Sequence, residues 1–319
     1  MLIENPKTYK GTDVETIFFR PSFCGKSVEE LGIRVLYNLP MPTTVQVWSK
    51  PDNVLQAFAS GWSGGQNATK QQKTINMHKV KAETAFSADD YFSMVFEKIT
   101  GSAEVNMGDL TGTELEKAET ELFRQAIAEG VRATMWLGDT DGEISSFTTF
   151  NGFLKAIQEA IDIEPDILCD NIDSSCKAID VMQSTWNNAF TDLKALRSEG
   201  NLVYLVSSDI MNKYMEELDA KGTDSAYRES IDGRPALFYH GIPVVEVPLG
   251  KYNHNYGHHF CILTDRRNFV LALNTADMPE NEVRMWYNPD EMENRQRAVF
   301  LAGTEILDPK LVSLCISEN

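Results

Sequence analysis

The longest helical pattern in the sequence runs from Thr113 to Leu137 (TELEKAETELFRQAIAEGVRATMWL). Thr113 and Glu116 have the spacing of a capping box, in which side-chain oxygens satisfy backbone N–H groups at a helix start. Gly138 follows as a stop signal. At ~1.5 Å per residue this helix would be roughly 35 Å long, so it would cross a whole domain and give other elements a surface to pack on. The apolar face, at three- and four-residue spacing, consists of Leu115, Ala118, Leu122, Ala126 and Ala133, widened by Phe123, Ile127, Val131 and Trp136.

Length and charge narrow the classes of protein that fit this sequence. At 319 residues, the chain favours two subdomains over a single core. It carries 29 basic against 47 acidic side chains, which gives a net charge of -18. Phosphate backbones repel such a chain, and this argues against sequence-specific binding of nucleic acid.

The cysteines and the hydropathy pattern indicate a protein made in a reducing cytoplasm. No apolar run approaches ~18 residues, and the first residues lack the apolar segment of a signal peptide, so no membrane contact is expected. The cysteines form an odd set without CxxC spacing, which predicts neither a zinc ribbon nor a disulfide framework. They are Cys24, Cys169, Cys176, Cys261 and Cys315.

The N-terminal part has the pattern of an arm followed by an extended loop. Residues 1–32 are polar and interrupted by Pro and Gly apart from one apolar patch, Thr16–Phe19, which is typical of an arm lying over another surface. Between Ile33 and Asp90, strand-like runs flank a segment rich in Gly, Ser, Asn and Gln, and the last run is predicted as one strand over Gln71–Phe86. A hairpin this polar is not stable alone, so we expect it to rest on another subunit.

The remainder of the chain mixes helices and strands. Helices are predicted over Phe147–Ile161 and Cys176–Arg197, and a third is capped by Ser208 and ended by Gly222. The run NLVYLVS between the last two helices has the pattern of a buried strand, and seven further strand-like runs follow. This order of elements predicts an α+β fold.

Two motifs resemble catalytic or nucleotide-binding signatures but lack the context that the chemistry needs. Gly61–Gly65 (GWSGG) matches the G-x-S-x-G elbow around Ser63, yet the following QNATKQQ has no helical pattern to present the hydroxyl. Gly25–Ser27 resembles the end of a phosphate-binding loop, but Arg20 stands where the first glycine is required. A flexible hairpin tip is the favoured interpretation of the first motif, and a nucleotide site is rejected for the second.

Two further clusters carry possible metal ligands. Asp139–Gly142 (DTDG) is half of a calcium loop, but Leu137 occupies a position that needs an oxygen ligand, so a turn is predicted. His254, His258 and His259 lie in a segment with Gly and Asn, where a surface loop is favoured and a pH-sensitive contact is the alternative. No catalytic, cofactor-binding or metal-ligating residue is predicted, and the residues indicate a protein with protruding arms rather than an enzyme.

The order of the elements also carries a resemblance. The helix ending in RATMWLGD is followed by F-x-G-F-L at Phe150–Leu154, and later by Phe238–Val244 (FYHGIPV). Near the end, an Asp308-Pro309 turn separates two strand-like runs. From about Ile33 onward this order resembles the major capsid proteins of tailed bacteriophages, which have the Hong Kong 97-type fold that encapsulin shells share.

The resemblance implies a division of the chain into four parts. They are an N-terminal arm (1–32), an extended loop (33–90), a peripheral domain with the long spine helix (91–163 and 266–302) and an axial domain (164–265 and 303–319). The Asp308-Pro309 turn would send the last strand back into the axial domain. Any scaffold is expected to be a separate protein or already removed, and no lysine–asparagine crosslink is matched.

The implied function is self-assembly into hexamers and pentamers of an icosahedral phage head around double-stranded DNA, in a virion assembled in the host cytoplasm. The implied partners are other copies of the chain, portal, scaffold and decoration proteins, and DNA enclosed non-specifically, with no cofactor. The acidic balance would give an inner wall that repels DNA. Deleting the tip Ser60–Gln71 is expected to leave a folded subunit that assembles poorly. An encapsulin-type nanocompartment is the nearer alternative, and a serine hydrolase using Ser63 the distant one.

Overall fold

A computed structural model describes most of the chain from Leu31 onward. The described residues are 31–37, 43–49, 60, 69–87, 114–142, 147–169, 176–221, 227–229, 235–247, 249, 259–274, 284–291 and 293–317. Within them, the strands form a five-stranded sheet, a six-stranded sheet and a separate two-stranded hairpin. None of the described helices is long and apolar enough to cross a membrane.

The helices and strands are numbered here in chain order. The helices are α1 (Glu114–Leu137), α2 (Phe153–Ile163), α3 (Ala178–Asn188), α4 (Thr191–Ala195) and α5 (Ser208–Lys221). The strands are β1 (Arg34–Tyr37), β2 (Thr43–Ser49), β3 (Thr69–Ile75), β4 (His78–Ser87), β5 (Leu202–Ser207), β6 (Tyr227–Glu229), β7 (Pro235–Tyr239), β8 (Ile242–Val247), β9 (His259–Asp265), β10 (Phe269–Asn274), β11 (Arg284–Asn288), β12 (Glu293–Ile306) and β13 (Val312–Ser317).

The five-stranded sheet is built around β12, which pairs antiparallel with β4, β10 and β11. The first strand, β1, joins its edge by parallel pairing with β10. The hairpin of β2 and β3 lies in the chain between β1 and β4, so both of its ends lead into this sheet. The sheet therefore serves as the base from which the hairpin extends.

The six-stranded sheet has the order β13-β9-β5-β8-β7-β6 and is packed on both faces at β5. Every residue of β5 is buried, and successive side chains of a strand point to opposite faces. Val203 and Leu205 accordingly pack in a cluster with Trp136 of α1, whereas Tyr204 and Val206 pack in a cluster with α3 and α5. The spine helix thus covers one face of this sheet with its C-terminal turns.

Two chain crossings join the sheets, and a buried asparagine holds them together. The β9–β10 turn contains Asn268, and the segment between β12 and β13 contains Asp308. The Asn268 side chain donates to the Asp308 carbonyl oxygen at 2.9 Å and accepts from the Asp308 N–H at 2.8 Å. Asp308 in turn accepts from Lys310 N–H at 3.0 Å, which closes the turn at Pro309.

The predicted spine helix is confirmed over Glu114–Leu137, and Thr113 of the proposed cap lies outside the described residues. The predicted apolar face is buried at Phe123, Ala133 and Trp136. Ala126, however, is exposed in the middle of the helix. The helix is therefore fully covered only along its C-terminal turns.

The prediction of one strand over Gln71–Phe86 is wrong, because the run is divided between two sheets at Asn76–Met77. The carbonyl of Asn76 lies so close to Gly303 of β12 that any side chain at Gly303 would overlap it. Glycine therefore allows this strand change.

Two predicted helices also differ from the structure. The pattern over Cys176–Arg197 breaks at Ala189 and Phe190, whose ψ angles of 140° and 153° are extended. There the Asn188 side chain donates to the Asp166 carbonyl at 2.9 Å, the kind of local competition that ends helices. The helix predicted from Phe147 begins only at Phe153.

One disulfide, not expected from the odd cysteine count, joins Cys169 to Cys315 of β13 across 5.2 Å between Cα atoms. The Cys169 N–H also donates to the Leu314 carbonyl at 2.9 Å. The segment after α2 is thereby fixed to the last strand. Cys176 and Cys261 are free thiols.

Candidate functional site

The β2–β3 hairpin is a two-stranded ladder in which Thr43 pairs with Ile75 and Ser49 pairs with Thr69. Two strands alone are marginally stable in water, so the ladder depends on what it packs against. The described contacts with the five-stranded sheet lie at the end of the hairpin nearest β4. There Ile75 is fully buried and Val45 packs beside it against a cluster with Val270 and Leu301.

An ion pair reinforces this anchor. The Lys73 ammonium lies 3.2 Å from a carboxylate oxygen of Glu305 on β12. Burial raises the pKa of the Glu305 carboxyl, and the nearby Lys73 opposes that rise. The hairpin is therefore held to its own sheet by apolar contacts and one partly buried charge pair.

The opposite side of the hairpin carries polar side chains. Gln72 and Thr74 are exposed, alternating with the anchoring Lys73 and Ile75. Such a face has hydrogen-bonding groups for a second molecule and no catalytic chemistry. It is an accessible part of the described ladder.

A second protruding turn lies at the end of the six-stranded sheet. His240 and Gly241 join β7 to β8 with φ angles of 49° and 83°, as a two-residue I′ hairpin requires. Arg197 donates to the His240 carbonyl and places its guanidinium 5.4 Å from the ring centre of Trp186. A cavity of about 290 Å³ beside this turn is lined by Gln183, Trp186, Asn187, Arg197, Tyr204, Tyr239, His240 and Ile242.

The predicted turn at Asp139–Gly142 is confirmed. The Gly142 N–H donates to the Asp139 carbonyl at 3.1 Å, and the Asp141 N–H donates to Asp139 Oδ1 at 3.0 Å. The other carboxylate oxygen, Asp139 Oδ2, pairs with Lys155 at 3.3 Å. The carboxylate is thus used within the protein to close the turn after α1.

Of the three candidate histidines, the structure describes His259, at the start of β9. Its Nδ1 lies 3.1 Å from Asp209 Oδ2, a distance at which a protonated imidazole forms an ion pair, although the contact lacks hydrogen-bond geometry. His254 and His258 lie outside the described residues, as do Ser63, its Gly61–Gly65 motif and Gly25–Ser27. Among the residues that the structure describes, no three His, Cys, Asp or Glu side chains come together as metal ligands.

The sequence interpretation missed the strongest polar cluster of the described chain. Arg267 donates two hydrogen bonds to the buried Asp265 carboxylate, at 3.0 and 2.7 Å, and another to Glu199 at 2.9 Å. These carboxylates raise the pKa of the Arg267 guanidinium. The run DRRN indicated a turn, but nothing in the sequence linked it to Glu199. The cluster rigidifies the β9–β10 turn, whereas the catalytic pattern of a base beside a nucleophile is absent from it.

Comparison with known proteins identifies the architecture. No family model and no curated protein matches the chain. A structure from Gordonia phage Cozz matches with a TM-score of 0.56 at 12% identity, covering 99% of this chain and 92% of that one. The capsid of Myoviridae phage XM1 matches with a TM-score of 0.51 at 10% identity, over 98% and 100%. This chain has the fold of phage capsid proteins.

A structure of the satellite phage P4 procapsid including its size determination (Sid) protein gives a TM-score of 0.54 at 11% identity, over 89% of this chain and 92% of that one. The predicted α+β class is therefore confirmed, together with the resemblance to capsid proteins at the level of the fold. Identities this low show the capsid fold and no correspondence between individual residues. The four-part division of the chain stays a prediction.

Proposed function

We propose that this chain is the major capsid protein of a tailed phage and that its activity is self-assembly into a closed shell. The observation that carries the proposal is the agreement of nearly the whole chain with phage capsid structures. The hairpin adds support, because its described anchors lie at one end and its polar face is exposed.

In this function, the hairpin lies across a neighbouring copy. Each such contact is modest, but a subunit in a shell makes several at once, and multivalency stabilises the finished assembly. Contacts between unlike patches of identical subunits close into rings, which here are hexamers and pentamers. Individually weak contacts also let a misplaced subunit dissociate before the shell closes.

The finer features of the proposal follow the Hong Kong 97-type pattern. The shell encloses double-stranded DNA non-specifically, with an acidic inner wall that limits adhesion during filling. Residues 33–90 serve as the extended loop, and the two sheets belong to the peripheral and axial domains. Portal, scaffold and decoration proteins are the expected partners, and no cofactor is required.

Negative-stain electron microscopy of the purified protein, beside light scattering for mass, tests the proposal. Closed shells or flat hexameric sheets are the expected result. Small uniform shells that contain an enzyme instead of DNA would replace the phage head with a nanocompartment. A monomer or dimer at high concentration, in the presence of the phage's own scaffold, would overturn the proposal.

A shortened loop tests the role assigned to the hairpin. Since Ser49 and Thr69 are the last paired residues, replacing residues 50–68 with Asn-Gly closes the ladder with a two-residue I′ turn. The variant is expected to melt as cooperatively as the original and to form no shells. Normal shells from this variant, or loss of monomer folding, would contradict the assignment.

A further inference from the structure

An open groove runs along the middle turns of α1, between that helix and the strands β4 and β12. Its volume is about 340 Å³. Its walls are mostly apolar, and the side chains and backbone that line it belong to Val80, Lys81, Ala82, Glu83, Phe123, Ala126, Ile127, Gly130, Val131, Thr134, Thr149, Phe150 and Phe300. The groove therefore offers apolar surface on the part of the spine helix that is not fully covered by the protein's own core.

Gly130 is the informative residue in this groove. It lies in the interior of a 24-residue helix, where glycine lowers helix stability relative to alanine. Nothing lies within 4 Å of the position that its Cβ would occupy. The described fold thus gives no steric reason for glycine here, in contrast to Gly138, where a Cβ would overlap the Phe150 carbonyl. A glycine facing open apolar space fits a groove in which another backbone comes close.

The rim of the groove is polar and internally paired. Glu83 accepts from Arg297 at 2.7 Å and lies 2.7 Å from the Lys81 ammonium. These charges compensate one another, so the rim selects neither a strongly acidic nor a strongly basic occupant. An apolar segment of two or three residues is the complementary ligand.

The path of the chain points to the segment that fits. Leu31 is buried in the same cluster as Ala133 and Trp136, so the chain enters the core beside the C-terminal turns of α1. The groove begins only a few residues back along that helix, and Phe123 at its far end is about 15 Å from Ala133 at 1.5 Å per residue. From Phe19 to Leu31 the chain can span up to roughly 40 Å, which is more than enough.

We propose that this groove receives the apolar segment Thr16–Phe19 (TIFF) of the N-terminal region. The aromatic rings contact the walls, and the backbone passes over Gly130, where a side chain would keep it away. The same groove on a neighbouring copy is within the reach of the same segment in an assembly. This proposal goes beyond the proposed function and can fail separately from it, because its tests measure contact rather than shell formation.

Disulfide trapping tests the contact directly. In a Cys24→Ser, Cys176→Ser background, Phe18→Cys is combined with Gly130→Cys. The matched control combines it with Ala128→Cys, an exposed position of the same helix that does not line the groove. Under mild oxidation of the full-length protein, the pair at 18 and 130 is expected to crosslink at least about tenfold more than the pair at 18 and 128. Mass spectrometry identifies the bond, and a non-reducing gel shows whether it lies within one chain or between two.

Equal crosslinking of the two pairs would overturn the proposal. So would efficient trapping of position 130 by Phe96→Cys with none by Phe18→Cys, since the groove would then hold a different segment. A bond between 18 and 130 supports the proposal whether it forms within or between chains.

A second measurement uses substitutions at the groove itself. Gly130→Trp fills the space, whereas Gly130→Ala leaves most of it open. Chymotrypsin cleavage after Phe18 or Phe19 is expected to be at least about tenfold faster in Gly130→Trp than in Gly130→Ala, with both variants melting cooperatively. Equal cleavage rates in the two folded variants would overturn the proposal.

Discussion

The ammonium of Lys73 on β3 lies 3.2 Å from the carboxylate of Glu305 on β12, and this pair links the protruding hairpin to the sheet that carries it. The carboxylate is the more buried partner, with 18% of its side chain exposed against 35% for Lys73. Burial is the largest influence on Glu305 and raises its pKa above 4.5, although Lys73 and the Ile306 N–H act in the opposite direction. The charge at the base of the hairpin is thus tolerated rather than favoured.

The raised pKa gives a dependence of stability on pH. Between the unfolded pKa and the higher folded pKa, the folded state binds more protons, so stability from this group falls as pH rises through that window. Glu305→Gln is expected to flatten this fall and to be at least as stable as the original protein at neutral pH. Urea unfolding at several pH values from about 4 to 8 measures the effect.

Glu216→Gln, at an exposed position of α5, is the matched control and should leave the pH profile unchanged. A profile for Glu305→Gln that is as steep as that of the original protein would show that another group controls it. A large loss of stability at neutral pH would instead show that the ion pair with Lys73 outweighs burial.

Two glycines with opposite surroundings give a paired prediction. At Gly303 an added Cβ would overlap the Asn76 carbonyl, where β3 passes into β4. Gly303→Ala is expected to destabilise the subunit by about 1–3 kcal/mol through overpacking. Gly130→Ala meets open space and is expected to stabilise it by about 0.5–1 kcal/mol through helix propensity. Unfolding midpoints in urea that move in the same direction for both variants would contradict this account of the two sites.

Local patterns predicted the elements whose stability is local. The apolar period of α1 and its stop at Gly138 predicted the observed end at Leu137, and LVYLVS predicted the buried strand β5. The misses lie where distant segments meet. Nothing near Asn76 indicates that Gly303, far along the chain, sets the break between β3 and β4. The hairpin was predicted from its polar tip, but its anchor depends on Glu305, which no local pattern links to Lys73.

The Asn268–Asp308 contact shows the same limit and carries a prediction of its own. Asn268 is 3% exposed and satisfies both backbone groups of Asp308 where the chain crosses between the sheets. Asn268→Ala leaves a buried N–H and a buried carbonyl without these partners, so we expect a loss of about 2–4 kcal/mol. Asn188→Ala, which removes a more exposed amide from the Asp166 carbonyl, is the control and should cost about 1 kcal/mol or less. Similar losses in urea unfolding for both variants would contradict a special role for the crossing.

The cysteines of the six-stranded sheet give the final prediction, because Cys315 has two possible partners. It is bonded to Cys169, yet in the β9–β13 ladder it also lies directly opposite Cys261. Burial raises the pKa of the Cys261 thiol to about 12, so the thiolate needed to attack the disulfide is almost absent at neutral pH. Peptide mapping of the folded, oxidised protein should therefore find the bond between 169 and 315 and none between 261 and 315. Reduction should lower the unfolding midpoint of the original protein and of Cys176→Ser, with a typical effect of about 2–4 kcal/mol for a native disulfide. The midpoint of Cys169→Ser should not respond to reductant, and a response equal to that of the original protein would place the stabilising bond elsewhere.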